Sequence, residues 1–227
     1  MLFIVPTPIG NLRAITLRAL DVLKAADVIL CEDTRQTQKL LSAYEIQKPL
    51  LSFHEHSKPG RVQEVLALLK EDKNVALVSD GGTPLINDPG FELIHEAIRQ
   101  NAPFEVLPGP AALITALAAS GLATDSFSFH GFLSQKSVSR RKEITALAGR
   151  EETLIFYESP YRLVKALEDL KTVLGDREAA VARELTKKFE EVTRSTLSQL
   201  IEKYTKKTPL GEIVVLVSGA NRKKMFS

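Results

Sequence analysis

The densest run of chemically suggestive residues is Ser79-Asp80-Gly81-Gly82-Thr83-Pro84-Leu85-Ile86-Asn87-Asp88-Pro89-Gly90, directly after the apolar run Val75-Ala76-Leu77-Val78. The apolar run reads as a buried parallel strand, which the paired glycines stop. Backbone without side chains at 81 and 82 lets a ligand approach closely, but the same glycines also make a plain turn, and the stretch alone leaves both readings open. No Gly-Lys-Ser/Thr follows, and the three-glycine dinucleotide spacing is missing, so the turn is not a phosphate cradle of either kind. Asp88 is placed to cap the next helix, with Pro89 as its first residue and Phe91, Leu93, Ile94, Ala97 and Ile98 along one face.

Two more turns of the same kind end apolar runs. Pro6-Thr7-Pro8-Ile9-Gly10-Asn11 follows Leu2–Val5, and Pro108-Gly109-Pro110 follows Phe104–Leu107. Prolines fix the backbone there, and Gly10 and Asn11 tolerate left-handed geometry. Three such turns on one sheet edge are far stronger evidence of a site than one, because ligands of open α/β sheets lie beyond the carboxyl ends of the strands. Glu32-Asp33-Thr34-Arg35 ends a further strand. Asp33 or Thr34 caps the helix that follows, and four polar groups exceed what a cap needs. His54-Glu55-His56 has two possible metal ligands but no third at suitable spacing, so a polar loop is the better reading and no metal is expected. Lys136, Arg140, Arg141 and Lys142 put four positive charges into seven residues next to Phe132. Such a run is usually a solvated helix start, but it also suits phosphate neutralisation, to which Arg35 and Arg13 could add.

The elements that must hold these residues are legible as periodicity. Five apolar runs, at 2–5, 27–31, 50–53, 75–78 and 104–107, alternate with helical patterns at 17–23, 36–44, 61–69 (entered after Pro59), 91–98 and 111–120. That alternation predicts a mostly parallel sheet with helices on both faces over residues 1–120. From 121 to 227 the pattern changes. Strands at 127–132, 153–157 and 211–217 combine with a hairpin-like pair at 179–184 and 190–195, a basic loop at 134–142, and helices at 161–174 and 197–204, which predicts a mixed α/β domain.

Composition narrows the classes. The chain has 227 residues, 44% hydrophobic, with a formal charge of only +2, enough apolar residues for a core and too little charge for a basic coat, though not for a local basic patch. Cys31 is the single cysteine, so no disulfide framework or cysteine zinc site is expected. The start lacks a signal-peptide pattern, and no run suits a membrane span. A cytoplasmic protein is expected.

Taken in order, Thr7–Leu12, Cys31–Arg35, Ser52–His56, Ser79–Gly90, Pro108–Ala112, Gly131–Leu133, Phe156–Pro160, Arg183–Lys187 and Gly211-Glu212 resemble the tetrapyrrole methylase superfamily, and within it the branch that methylates small-subunit ribosomal RNA. The resemblance covers nearly the whole chain. It implies two α/β domains with S-adenosylmethionine in the cleft between them, a homodimer, and methylation of a cytidine ribose 2′-hydroxyl. Gly81 stands where the family usually has Ala, and the chain ends soon after its last strand, where many members carry a further helical segment. By the same resemblance, Pro8, Asp80, Gly82, Thr83, Ile86, Ala112, Leu113, Tyr157 and Glu212 or Ile213 border the cofactor. Ordinary helix packing accounts equally for Ala112 and Leu113, and a core aromatic for Tyr157. A ribose hydroxyl is a weak acid that gains from a general base. Asp33, Glu55, Glu184 and Lys187 are the candidates, and Glu184 and Lys187 are favoured as facing the cleft from the second domain. Lys136, Arg140, Arg141, Lys142 and Arg35 are the expected RNA contacts. The alternatives are a small-molecule tetrapyrrole C-methyltransferase and a non-catalytic RNA-binding protein.

Overall fold

Each of the five apolar runs of the first half becomes a short strand: β1 (Leu2–Ile4), β2 (Val28–Cys31), β3 (Leu50–Ser52), β4 (Val75–Leu77) and β5 (Phe104–Val106). The computed structural model describes residues 1–54 and 60–222, and divides them into two compact units after Ala111. The strands of the first unit form an all-parallel sheet in the order β3-β2-β4-β1-β5. Helices α1 (Leu17–Ala25) and α2 (Thr34–Ala43) cover one face through Ala19, Val22, Leu23 and Leu41. Helices α3 (Arg61–Lys70) and α4 (Phe91–Arg99) cover the other through Val65, Leu66, Leu69, Leu93 and Ala97. Strands β4 and β1 are neighbours, yet the helices that come after them lie on opposite faces. The chain therefore diverges between them, which is where open parallel sheets form their crevice.

Local signals explain the helix starts, with two corrections. Thr16 caps α1, its hydroxyl accepting from the Ala19 N–H at 3.0 Å. Leu17, expected on the apolar face, is 82% exposed, because the buried stripe runs through 19, 22 and 23. Asp88 does not cap α4. That helix begins two residues later behind Gly90, whose φ of 128° favours glycine and whose added Cβ would lie 2.6 Å from a Leu85 methyl. Its buried face is Leu93 and Ala97, whereas Phe91 and Ile98 turn to the surface.

The second unit forms a mixed sheet, β6-β7-β10-β8-β9, from β6 (Phe127–Phe132), β7 (Thr153–Glu158), β8 (Glu178–Arg183), β9 (Glu191–Thr196) and β10 (Ile213–Val217). β6 runs parallel to β7, and the other neighbours are antiparallel. Helix α5 (Ala112–Ser120), placed by its sequence at the end of the first domain, packs on β7 to β10 and belongs to this unit. On the opposite face α6 (Ser137–Thr145), α7 (Leu163–Leu174) and α8 (Leu197–Lys206) enclose the core of Leu154, Phe156, Leu167, Leu170, Leu200 and Val215. The segment 134–142, expected as a basic loop, is helical from Ser137.

Arg140 needs a second correction. It is 3% exposed and cannot lie on a surface patch. Its guanidinium bonds Asp169 at 2.6 and 2.8 Å and the carbonyls of Ser134 and Gln135 at 3.1 Å. Burial works against the charge of Asp169, and hydrogen bonds from Arg141, Ser137 and Arg140 outweigh it, holding the carboxyl below its ordinary range. Removing one partner of a buried pair leaves the other charge uncompensated. Asp169→Ala is therefore expected to cost about 3–5 kcal/mol of stability, read from urea denaturation; a loss within the range of a surface substitution would contradict the structural role.

Candidate active site

The three Gly/Pro turns meet because β4, β1 and β5 are consecutive in the sheet although far apart in sequence. Thr7 and Gly82 exchange backbone hydrogen bonds of 2.8 and 2.9 Å, a bridge that ties the turn after β1 to the turn after β4. The Thr7 hydroxyl donates to the Ser79 carbonyl at 3.0 Å, and the Thr83 hydroxyl donates to the Pro110 carbonyl at 2.9 Å, which joins the third turn. The packing is close. A Cβ at Gly109 would stand 2.4 Å from the Pro6 ring, and one at Gly82 3.4 Å from an Ile9 methyl. Pro8 is buried in this junction, while Asp80, Gly81 and Ile86 face outward. Pro8, Asp80, Gly82, Thr83 and Ile86 are thus brought to one edge of the first unit.

The charge at that edge is negative. Asp80 accepts the Asp33 N–H at 3.2 Å across from the end of β2, and burial raises its pKa. Asp33 caps α2 and forks with Arg35 at 2.7 and 3.0 Å. These hydrogen bonds lower its pKa to about 2, and its side chain is committed to capping α2 and to Arg35. Arg35 is exposed but engaged with Asp33, unlike a free phosphate contact. Asp88, displaced from its expected capping place, is half-buried and bonds Ser79. Burial first, and then Glu32 and Asp80, push its pKa up to about 6. A phosphate-bearing ligand would meet carboxylates here. A cationic, phosphate-free cofactor such as a sulfonium suits this set of groups. Leu85 and Asn87 hold φ of 75° and 65°, left-handed geometry that side chains adopt at a cost and that clusters at ligand sites.

The second unit gathers its own candidates on one sheet edge. Ile213 at the start of β10 pairs with both Glu158 and Arg183, so the carboxyl ends of β7 and β8 meet there. Lys187 Nζ lies 3.0 Å from Glu184 Oε1 and 3.0 Å from Glu212 Oε2, and the Glu212 N–H donates to Glu184 Oε1 at 3.1 Å. Gly211 has a φ of 90°, which favours glycine, and an added Cβ there would displace the Glu184 carboxylate. Glu184 and Thr186 also hold positive φ, 50° and 66°. Burial opposes both charges, but Lys187 holds Glu184 below its ordinary range, and the two carboxylates hold Lys187 above its own. Glu184 is thus held as a carboxylate and Lys187 as an ammonium. Tyr157 on β7 packs edge-to-face with Phe129 at 4.8 Å and Phe132 at 5.8 Å. Ala112 and Leu113 open α5, and Leu113 is buried in its packing on the sheet. Lys136, Arg141 and Lys142 are exposed on α6 and its start, with Arg141 2.5 Å from Asp169. Arg13 is exposed in the turn before α1. Glu55 and His56 lie outside the described residues. Among the described residues no three His, Cys, Asp or Glu are grouped as a metal ion would need.

Sequence reasoning missed the Ser79–Asp88 contact and the Asp169 partner of Arg140. The first depends on a loop fold that no period encodes. The second had a signal, an aspartate among Ala166, Leu167 and Leu170 on the apolar face of α7.

A family model described as Tetrapyrrole (Corrin/Porphyrin) Methylases matches residues 1–201. A Bacillus subtilis (strain 168) protein named Ribosomal RNA small subunit methyltransferase I is 47% identical over 225 residues, 99% of this chain and 77% of the relative. A Thermotoga maritima protein of the same name is 48% identical over 218 residues, covering 96% of this chain and 98% of the relative. Among solved structures, a cobalt precorrin-4 methyltransferase aligns with a TM-score of 0.71 at 21% identity, covering 96% of this chain and 94% of that one. The uroporphyrin-III-C-methyltransferase of Thermus thermophilus aligns with 0.66 at 23% identity, covering 95% and 93%. At that identity the structural likeness shows the fold alone.

Asp88 gives a prediction whose sign comes from its raised pKa. Between pH ~4 and ~6 the folded chain holds this proton more tightly than the unfolded chain, so stability falls as pH rises through that window. The full difference corresponds to ~3 kcal/mol, which screening at a half-buried group reduces to ~1–2 kcal/mol. Asp88→Asn should be the more stable chain by that amount at pH 7.5 and should match the parent near pH 4. A stability difference independent of pH in urea titrations would refute this assignment.

Proposed function

The chain belongs to the tetrapyrrole (corrin/porphyrin) methylase family, and from that premise we propose that it transfers the methyl group of S-adenosylmethionine to the 2′-hydroxyl of a cytidine ribose in small-subunit ribosomal RNA. It is a methyltransferase, as its relatives are named. The observation that carries the RNA reading is identity of 47–48% across nearly the whole chain to proteins named for that substrate. The joined turns after β1, β4 and β5, with carboxylates from the ends of β2 and β4 beside them, support the cofactor. In this reading the enzyme works as a cytoplasmic homodimer.

S-adenosylmethionine, when bound, supplies a methyl group already activated on a sulfonium. Pro8, Gly82 and Thr83 offer backbone and hydroxyl surface to it, Asp80 offers a negative charge, and Ile86 offers apolar contact. Ala112, Leu113, Tyr157 and Glu212 are its proposed neighbours from the second unit. With the donor activated, holding the acceptor oxygen in line can supply much of the acceleration, on the order of 7–11 kcal/mol at best. Glu184 is the proposed acceptor of the ribose hydroxyl proton. Lys187, bonded to Glu184 Oε1, keeps that carboxylate ionised and aimed. Lys136, Arg141 and Lys142 are the proposed phosphate contacts, with Arg35 a lesser one. Arg140 leaves that set because it is buried.

The reading is tested by offering the chain S-adenosylmethionine with purified small ribosomal subunits and, separately, with a porphyrin precursor. Methyl transfer to the subunits alone is expected; transfer to the porphyrin alone, or to neither, would sink it. Glu184→Gln should lower kcat by about 10²–10⁴-fold while the thermal shift on adding the cofactor persists. Replacing Lys136, Arg141 and Lys142 by Gln should flatten the dependence of log affinity on log salt by about 2. An unaltered slope would discard the patch.

A further inference from the structure

The strand β6 departs from simple alternation. Phe129 pairs with Ile155 and Phe132 pairs with Tyr157, so between these pairs His130 and Gly131 on β6 face only Phe156 on β7. The extra residue is accommodated at Gly131, whose φ is 60°. A bulge of one residue reverses the parity of the strand beyond it. Phe132 therefore shares a face with Phe129 and Tyr157 instead of the opposite face, and it rests edge-on against Tyr157 while 52% exposed.

The loop after β6 is held from four sides. Arg162 donates to the Leu133 carbonyl at 2.5 Å, and Glu143 accepts the Ser134 N–H at 3.0 Å. Arg140 holds the carbonyls of Ser134 and Gln135, and Asp169 takes the Ser137 hydroxyl. The Arg162–Leu133 bond ties together the carboxyl ends of β6 and β7. Phe132 precedes one of its partners and Tyr161, 83% exposed, precedes the other. Lys136, three residues beyond Leu133, is exposed at the start of α6. Two exposed aromatic side chains thus flank a hydrogen-bonded loop at this sheet edge, with exposed cations on the helix that follows.

We propose that Phe132 and Tyr161 form a stacking platform for unpaired bases of the RNA substrate. The platform deepens the RNA reading above and rests on it. Single-stranded RNA is recognised by stacking its splayed bases on aromatic side chains, with neighbouring cations meeting the phosphates. The face commits to that occupant because cations outnumber carboxylates beside it: Lys136, Arg141 and Lys142 are exposed at and along α6, whose single acidic residue, Glu143, is engaged with Ser134.

The chain contains no tryptophan, so Phe132→Trp introduces a unique reporter. Adding a short single-stranded oligoribonucleotide from small-subunit ribosomal RNA should quench its fluorescence. Phe132→Leu and Tyr161→Leu should each weaken binding roughly 5- to 100-fold. Their salt slopes should match the parent, unlike the slope of the lysine and arginine variants. Parent-like affinity in both leucine variants, or RNA binding without quenching of the introduced tryptophan, would overturn the platform. If the parent methylates small subunits while either of these results holds, only the platform fails. If the parent methylates no RNA at all, the RNA reading fails with it.

Discussion

Two backbone hydrogen bonds, between Thr7 and Gly82, organise the first unit's candidate site. They span the divergence between β1 and β4, where the succeeding helices part to opposite faces. Backbone groups at such a point have no sheet partner left, and buried polar groups without partners are costly. Pairing Thr7 with Gly82 satisfies them and closes the two turns on each other. Pro6 against Gly109, and Thr83 on Pro110, then draw in the turn after β5. Everything proposed about the cofactor rests on this junction being rigid, negatively charged and open along Asp80, Gly81 and Ile86.

The second unit obeys a different principle. Its edge adds side-chain charge to backbone pairing, which there joins the Glu184 N–H to the Glu212 carbonyl at 3.0 Å. Lys187 between Glu184 and Glu212 fixes a loop in left-handed geometry, and Arg140, Arg162 and Glu143 fix the loop after β6. Buried arginine does structural work here that its sequence neighbours, Lys136 and Lys142, do not share. A run of four basic residues is therefore two kinds of residue: Arg140, buried, and Arg141, exposed, both hold Asp169, while Lys136 and Lys142 reach solvent.

Much of this was legible in the residues, for physical reasons. Apolar runs of strand length, separated by helical periods, set the alternation that yields a parallel sheet, and the three Gly/Pro turns marked loops that come together at one edge of it. Thr16 and Asp33 announced their helices by cap chemistry. The features that stayed hidden were long-range. Nothing in Asp88-Pro89 distinguishes a cap from a contact with Ser79, because both satisfy the same carboxylate. The period of α4 could not tell Phe91 and Ile98 from Leu93 and Ala97, since all are apolar and only the neighbouring helix decides which are covered. The division between the units fell before α5 rather than after it, because that helix finds its apolar partners in β7 to β10. The burial of Arg140 depended on Asp169, an aspartate 29 residues away.

The most direct measurement is a crystal structure of the chain with S-adenosylhomocysteine. The account predicts density against the backbone of Gly82 and Thr83 and beside Asp80, with Thr7 and Gly82 still paired. Density elsewhere on the molecule, with that edge left to solvent, would contradict it.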